Sequence, residues 1–296
     1  MKRTLRLLLG PVIVVGTMGT FAYYAAQHPA SLQSLRHLSV STIAGLLLLD
    51  AVGFLALVLV ARASLHAYHK KLSAQENILF NAYSALINFF GPGQSGVIFR
   101  GAYLKKRHGL PIKKYTYVVL LYYAFYALLS VLCMLAGARP WWQTLLALLA
   151  VGAGCAWFMR RYQRRAHLAD SHVFRPTTIG LLFLATLLQI ITLALAFGTE
   201  LRAVGAHASI AQVLAYTGVA NFSIFVALTP GAIGIRETFL LFSTKLHHIA
   251  AGAIVAANVI DRAVYLLFLG ILFVLVLSLH ARKKLGVTPT ARKADD

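Results

Sequence analysis

Charge is what this 296-residue sequence has least of: 12% of it is Asp, Glu, Lys or Arg, against roughly a quarter in a soluble globular domain. Acid is scarcer still, with eight Asp and Glu against 28 Lys and Arg. Cysteine occurs twice, at Cys133 and Cys155, both inside apolar runs and with no CxxC spacing. That excludes a disulfide framework and gives no zinc or redox motif. No GxSxG, HExxH or Walker loop occurs, so neither an enzyme nor a cofactor is expected. His66 and His69 have helical i, i+3 spacing, but no third ligand accompanies them and no metal is expected. Polar stretches long enough to bury a core of their own are also missing, so no soluble domain is expected.

Apolar residues are what is there. They make up 59% of the chain, with a mean hydropathy of +0.74. Runs of spanning length fall at about 7–26, 40–61, 115–137, 141–159, 178–198 and 263–279. At 1.5 Å per residue each approaches the ~30 Å hydrocarbon thickness of a bilayer. The basic head and long apolar body of "MKRTLRLLLGPVIVVGTMGTFAYYAA" read as an uncleaved first span. The +20 formal charge lies in clusters between apolar runs. There it sets topology and meets anionic lipid, and needs no nucleic-acid partner.

Two further apolar segments, 77–98 and 209–235, differ from the spans. They carry Asn81, Asn88, Gln94, Gln212 and Asn221, and each is broken by Pro-Gly-x-x-Gly, in "FFGPGQSG" and in "LTPGAIGIRE". Backbone freed by such a break cannot face lipid, so it must face protein or a wet cavity. If both segments dip in and return, the clusters "LKKRHG" and "RRYQRR" stay on the inner side with most other basic residues. The expected fold is an all-α integral membrane protein of about six transmembrane helices plus two re-entrant helical hairpins. The hairpins enter from opposite faces as parts of an inverted internal repeat, an arrangement common in transporters. One polytopic domain is expected over 1–296. Residues 1–39 hold the first span and outer loop, 40–159 the first half, 176–281 the second half and 282–296 a basic tail. Both termini are expected in the cytoplasm.

Ionisable groups at membrane depth are functional candidates by their cost alone. Arg236 and Glu237 follow the second break, and Asp261 and Arg262 come a helix-run later. Cross-pairing of Arg236 with Asp261 and Glu237 with Arg262 would neutralise all four, in a functional or a purely structural cluster. Arg100 follows the first break and could meet a phosphate, or act as an ordinary inner-side charge. Asp50, within "LLLLDAVGF", is either a proton-coupling carboxylate or a bundle-facing acid bonded to a neighbour. Asn88, Asn221 and Asn258 could line a polar path or tie helices together.

The stretch "ALTPGAIGIRETFLLF" followed by "NVIDRAVYLLFLGILFVL" resembles the signature of the lysylphosphatidylglycerol synthase transmembrane family, in its stand-alone bacterial form. The matching positions are Pro230, Gly231, Gly234, Arg236, Glu237 and Arg262, with a weaker match over 81–125. Where the family often carries a charge in the first half, this sequence has Tyr122 and Tyr123. The resemblance implies lipid handling in a bacterial inner membrane. Full-length relatives add a soluble domain that makes lysyl lipid from aminoacyl-tRNA; nothing of that kind is visible here, and lipid lysylation is not expected. The reading is a flippase-like translocator of a phospholipid or glycolipid head group. Its substrate-binding set is Pro92, Gly93, Gly96, Arg100, Asn221, Pro230, Gly231, Gly234, Arg236, Glu237, Asp261 and Arg262. Its partners would be anionic phospholipid or glycolipid and, in one version, a lipid-modifying enzyme. The alternatives are a non-transporting membrane partner of a lipid-modifying or glycosyl-transferring enzyme, and a proton-coupled small-solute transporter using Asp50.

Overall fold

The computed structural model of the chain describes residues 38–91, 93–138, 176–226, 229, 232 and 234–284, with isolated helical positions at 19, 23, 26, 142, 143, 146 and 149. The expected spans at 7–26 and 141–159 lie outside the described residues apart from those positions. So do Pro92, Pro230 and Gly231.

All regular structure among the described residues is helical. The helices are α1 (Val40–His66), α2 (Ala74–Phe90), α3 (Ser95–His108), α4 (Ile112–Ala138), α5 (Pro176–Ala203), α6 (Ile210–Ser223), α7 (Ile235–Phe242), α8 (Thr244–His247) and α9 (Ala251–Lys284). Four of them, α1, α4, α5 and α9, are long and apolar enough to cross a membrane. Serines fix several starts. Ser39, Ser73 and Ser209 accept the backbone N–H of Thr42, Glu76 and Gln212, and Gln212 returns the favour to the N–H of Ser209 at 2.9 Å. These bonds satisfy donors that a helix leaves open at its first turn. Gly109, at φ +64°, ends α3 just after a run of four basic residues, which favours the negative end of the helix dipole.

The last span differs from expectation. Its apolar run suggests a start near 263, yet α9 begins at Ala251 and continues unbroken through Asp261 and Arg262. The sequence "AGAIVAANVIDRAV" holds no proline and is rich in alanine, the strongest helix former. Both charges find partners inside the protein, so nothing stops the helix there.

Each broken segment folds back on itself. The first is the hairpin of α2 and α3, turning at residues 91–94. At its open end Tyr103 Oη donates to Glu76 Oε1 at 2.6 Å, and His108 Nε2 lies 2.9 Å from the same oxygen. The chain therefore returns to the level at which it started. Gly96 allows the close approach: a Cβ there would strike the Ser84 carbonyl and come within 2.8 Å of Asn88 Cβ. In the second segment α6 runs out through a short 3-10 turn at Ile224–Val226, and α7 and α8 return along it.

The packing partners follow a pairwise pattern. The long helices α1 and α5 lie against each other; α4 packs on α6, and α9 on α2. The first hairpin thus rests on α9 as well as on α1, and α6 rests on α4. The α4–α6 seam depends on small residues. A side chain on Gly218 would meet the Ser130 carbonyl and Met134 N, and one on Gly137 would meet Ala211 and Ala215 of α6. Close backbone approach through small residues is how helices associate in lipid, where no hydrophobic gain drives them together.

Two outcomes follow. Gly218→Leu should wedge α4 from α6 and cost about 1–3 kcal/mol, lowering the melting temperature in detergent. Gly252→Ala, with nothing within 4 Å of the added carbon, should leave it unchanged or raise it. Glu76 supplies the second. Burial opposes its charged form, but bonds from Tyr103 and His108 and the charges of His108 and Arg107 outweigh this and hold its carboxyl below the usual carboxylate range. A depressed value means the latch stabilises at neutral pH and is lost as pH falls through the folded-state value. Amide exchange at residues 74–77 and 105–110 should therefore accelerate in acid, and Glu76→Gln should produce the same acceleration at pH 7.

Candidate functional site

The first break touches the end of α6. Gln94, in the first, donates from Nε2 to the carbonyl of Ile224, just before the second, at 3.4 Å. Its Oε1 accepts from Tyr123 Oη at 2.8 Å. Tyr123 and Tyr126 of α4 both set their rings against Phe225. The freed backbone is answered locally: Gly91 N–H bonds the Ile87 carbonyl at 2.8 Å, and Gly96 N–H reaches Asn88 Oδ1 at 3.3 Å. Gly93 and Gly234 have φ of +57° and +84°, a region glycine enters without strain.

On one side of this junction lies a charge cluster built by α7 and α9. Arg236 donates to Asn258 Oδ1 from Nε at 2.9 Å and from Nη2 at 2.7 Å, and Nη2 also pairs with Asp261. The Phe197 ring lies 5.6 Å from its guanidinium carbon. Asn258 Nδ2 donates to Tyr216 Oη at 3.0 Å. Arg262 Nη2 pairs with Glu237 Oε1 at 3.4 Å, and Glu237 Oε2 accepts the Gly234 N–H at 2.8 Å. Residues 236 and 237 diverge on their helix, as do 261 and 262, so adjacent residues pair crosswise over a 25-residue separation. Glu237 already occupies the open N–H end of α7. A phosphate binding there would have to displace it.

The structure adds one acid that the apolar runs do not flag. Glu200, near the end of α5, is 3% exposed and lies close enough to Asp50, Arg236, Asp261 and Arg262 for their charges to act on it. Its place after "ALAFGT", just beyond the apolar run at 178–198, makes it read as a loop residue. Asp50 also belongs here. It shares a face of α1 with Leu46 and Phe54, which pack on Ile260, Val264 and Phe268 of α9, so its carboxylate comes level with Asp261. Four carboxylates therefore surround two guanidiniums.

Arg100 lies apart, on the other side of the junction. It lines a cavity of about 20 Å³ with Tyr115, Tyr122 and Tyr123, room for a water molecule rather than a head group. Its buried Nε has no hydrogen-bond partner, and no carboxylate among the described residues pairs with it. Asn221 is 1% exposed, with its Nδ2 also unpartnered. The structure thus groups Asp50, Arg236, Glu237, Asp261 and Arg262 beside the second break and leaves Arg100 beside the first. No set of three or more His, Cys, Asp or Glu side chains suited to a metal ion occurs among the described residues.

Two apolar grooves mark the surface. One, of about 410 Å³, runs between Leu59, Ala63, Leu181, Leu184 and Leu188, with Arg62 and His66 at its edge. The other, of about 540 Å³, is bounded by Met134, Val219, Phe222, Phe239, Phe242 and Leu246, with Lys245 beside it. Tyr68, just past α1, bonds the Lys114 carbonyl at the start of α4 at 2.6 Å. The His66 end of α1 and the Met134 end of α4 are therefore opposite ends of the bundle.

The family model for the lysylphosphatidylglycerol synthase TM region matches residues 7–272. The chain belongs to that family. It is a multi-pass membrane protein of a type associated with membrane lipid, as the resemblance of its second half implied. No curated protein gives a significant match.

Removing one member of a buried pair strands the other. Arg262→Leu should cost about 3–5 kcal/mol, and the double variant Arg262→Leu/Glu237→Leu should recover most of it. Melting temperatures of the two singles and the double close the cycle.

Proposed function

We propose that the protein is a lipid translocator of the bacterial inner membrane, carrying a phospholipid or glycolipid head group along the junction of the two breaks while the tails stay in hydrocarbon. Both termini lie in the cytoplasm, and the two hairpins are re-entrant halves of an inverted repeat. The observation that carries this reading is the bond of Gln94 to Ile224: two interrupted helices meet inside an apolar bundle and bring polar groups with them. A charged or sugar head group crossing bare hydrocarbon must shed its water at a cost of many kcal/mol. A polar route lowers that cost with no covalent step.

The grooves support the same reading. Each is in the size range of small-molecule sites, and each pairs an apolar wall with a basic edge, suited to acyl chains below a phosphate. They sit at opposite ends of the bundle, as a start and a finish in opposite leaflets require. Arg100 lies beside the first groove with a buried, unpartnered Nε and no carboxylate partner among the described residues, so it is the residue assigned to first contact with a phosphate once its tyrosine-lined space opens. Arg236 and Arg262 engage only when their internal pairs open. The second reading, a membrane partner that presents lipid to another enzyme, draws on the same grooves and needs no opening of the pairs.

Vesicles with a fluorescent phosphatidylglycerol and an impermeant quencher measure leaflet exchange directly. Wild type should accelerate it well above empty vesicles, Arg100→Gln should reduce the added rate about tenfold, and Arg236→Ala and Arg262→Ala should reduce it further. Equal rates with and without protein would remove the translocator reading and favour the presenting partner.

A further inference from the structure

The charge cluster holds more acid than its arginines neutralise. Arg236 takes Asn258 and Asp261, Arg262 takes Glu237, and this leaves Asp50 and Glu200 with no guanidinium partner among the described residues. The two are not scattered. Leu46 on α1 clusters with Ile260 and Val264 of α9, and Ala196 of α5 and Val204 just past its end pack against that cluster. Asp50 lies one helical turn beyond Leu46, and Glu200 lies between Ala196 and Val204. Asp50, Glu200 and Asp261 are near enough to repel one another.

A buried excess of negative charge needs a counter-charge, which is either a metal ion or protons. The carboxylates do not converge as a metal site among the described residues. Protons remain. A second observation points to water that would carry them. Arg262, with 7% of its side chain exposed, has an unpartnered buried Nε, and Asn221 Nδ2 is likewise unpartnered. Buried donors of this kind are ordinarily answered by an internal water.

Depth separates Glu200 from the other two acids. Glu200 comes three residues before the end of α5 at Ala203. Asp50 and Asp261 each lie about 15 Å along their helices from Val40 and Ala251. The Leu46 cluster puts these three helix ends on the same side of the bundle.

We infer that Glu200 and Asp50 form a proton relay to Asp261, and that protonation of Asp261 releases Arg236 to take an anionic head group. This deepens the translocator reading and rests on it. With Asp261 ionised, Arg236 is held by it and the anion is excluded. When a proton arrives from Glu200, the pair opens, and the guanidinium turns to the phosphate; loss of the proton restores the pair and ejects the anion. One proton and one head group thus bind together and leave together. By reciprocity, each favours the other's binding to the same degree.

Other titratable or charged groups among the described residues face the relay from α4, α6, α7, α8 and α9. Arg262, Glu237 and Tyr265 flank Asp261 from α9 and α7. Tyr216 on α6 bonds Asn258 and packs against His247 of α8. Tyr126 is the group α4 turns toward Arg236, and α2 presents Phe89 to Tyr265.

Vesicles of phosphatidylcholine and phosphatidylglycerol, carrying labelled phosphatidylglycerol and an internal pH dye, test the coupling. For one proton per lipid, a pH step of two units allows an asymmetry of up to about 100-fold. Wild type should move labelled lipid at least about threefold faster with a pH step than without one, and internal pH should change as the lipid moves. A proton ionophore should remove the difference. In Glu200→Gln the ratio of rates with and without the step should fall to about one. Lipid movement in wild type that ignores both the step and the ionophore would overturn the relay while leaving translocation intact. No lipid movement under any condition would overturn both. If Glu200→Gln does not fold, the wild-type step and ionophore measurements decide the matter alone.

Discussion

Arg236 and Arg262 sit among helices that lipid cannot solvate, so each must find its counter-charge within the protein. That requirement shapes the second half of the chain. It brings α7 back from the break until it touches α9, sets Asn258 and Tyr216 as supports for Arg236, and draws Glu237 onto the open end of its own helix. A buried ion pair of this kind adds little net stability over apolar packing. In the proposed lipid route it serves as a switchable element.

The first half meets the same requirement with fewer charges. Its break is closed by neutral groups: Asn88 on Gly96, Ser95 Oγ on the Ile87 carbonyl at 2.8 Å, and Gln94 reaching across to Tyr123 and Ile224. Tyr122 bonds Gln189 at 2.8 Å. The two folded-back segments therefore differ in chemistry. One offers a lone guanidinium in a tight, tyrosine-lined space; the other offers paired charges with acid to spare.

Much of this was legible in the residues. Apolar runs located α1, α4 and α5 because a helix in lipid needs length and little else. The Pro-Gly breaks marked both turns, and the spacing of 236, 237, 261 and 262 predicted their cross-pairing. The start of α9 was hidden because the run was ended at its charges, and charges end a span only when nothing neutralises them. Glu200 was hidden for the opposite reason. Just past the apolar run it reads as solvated, and only the docking of α5 on α1 and α9 buries it. The Gln94–Ile224 contact, across 130 residues, has no local signal at all.

The proposed lipid route requires a space between Gln94 and the end of α6 that water and a head group can enter. With Cys133 and Cys155 replaced by serine, single Gln94→Cys and Ile224→Cys variants can be challenged with a membrane-impermeant thiol reagent in native membranes. Both positions should react, and an excess of short-chain anionic phospholipid should slow the reaction. Complete protection of both, alongside full reaction of a surface cysteine placed at Lys71, would contradict it.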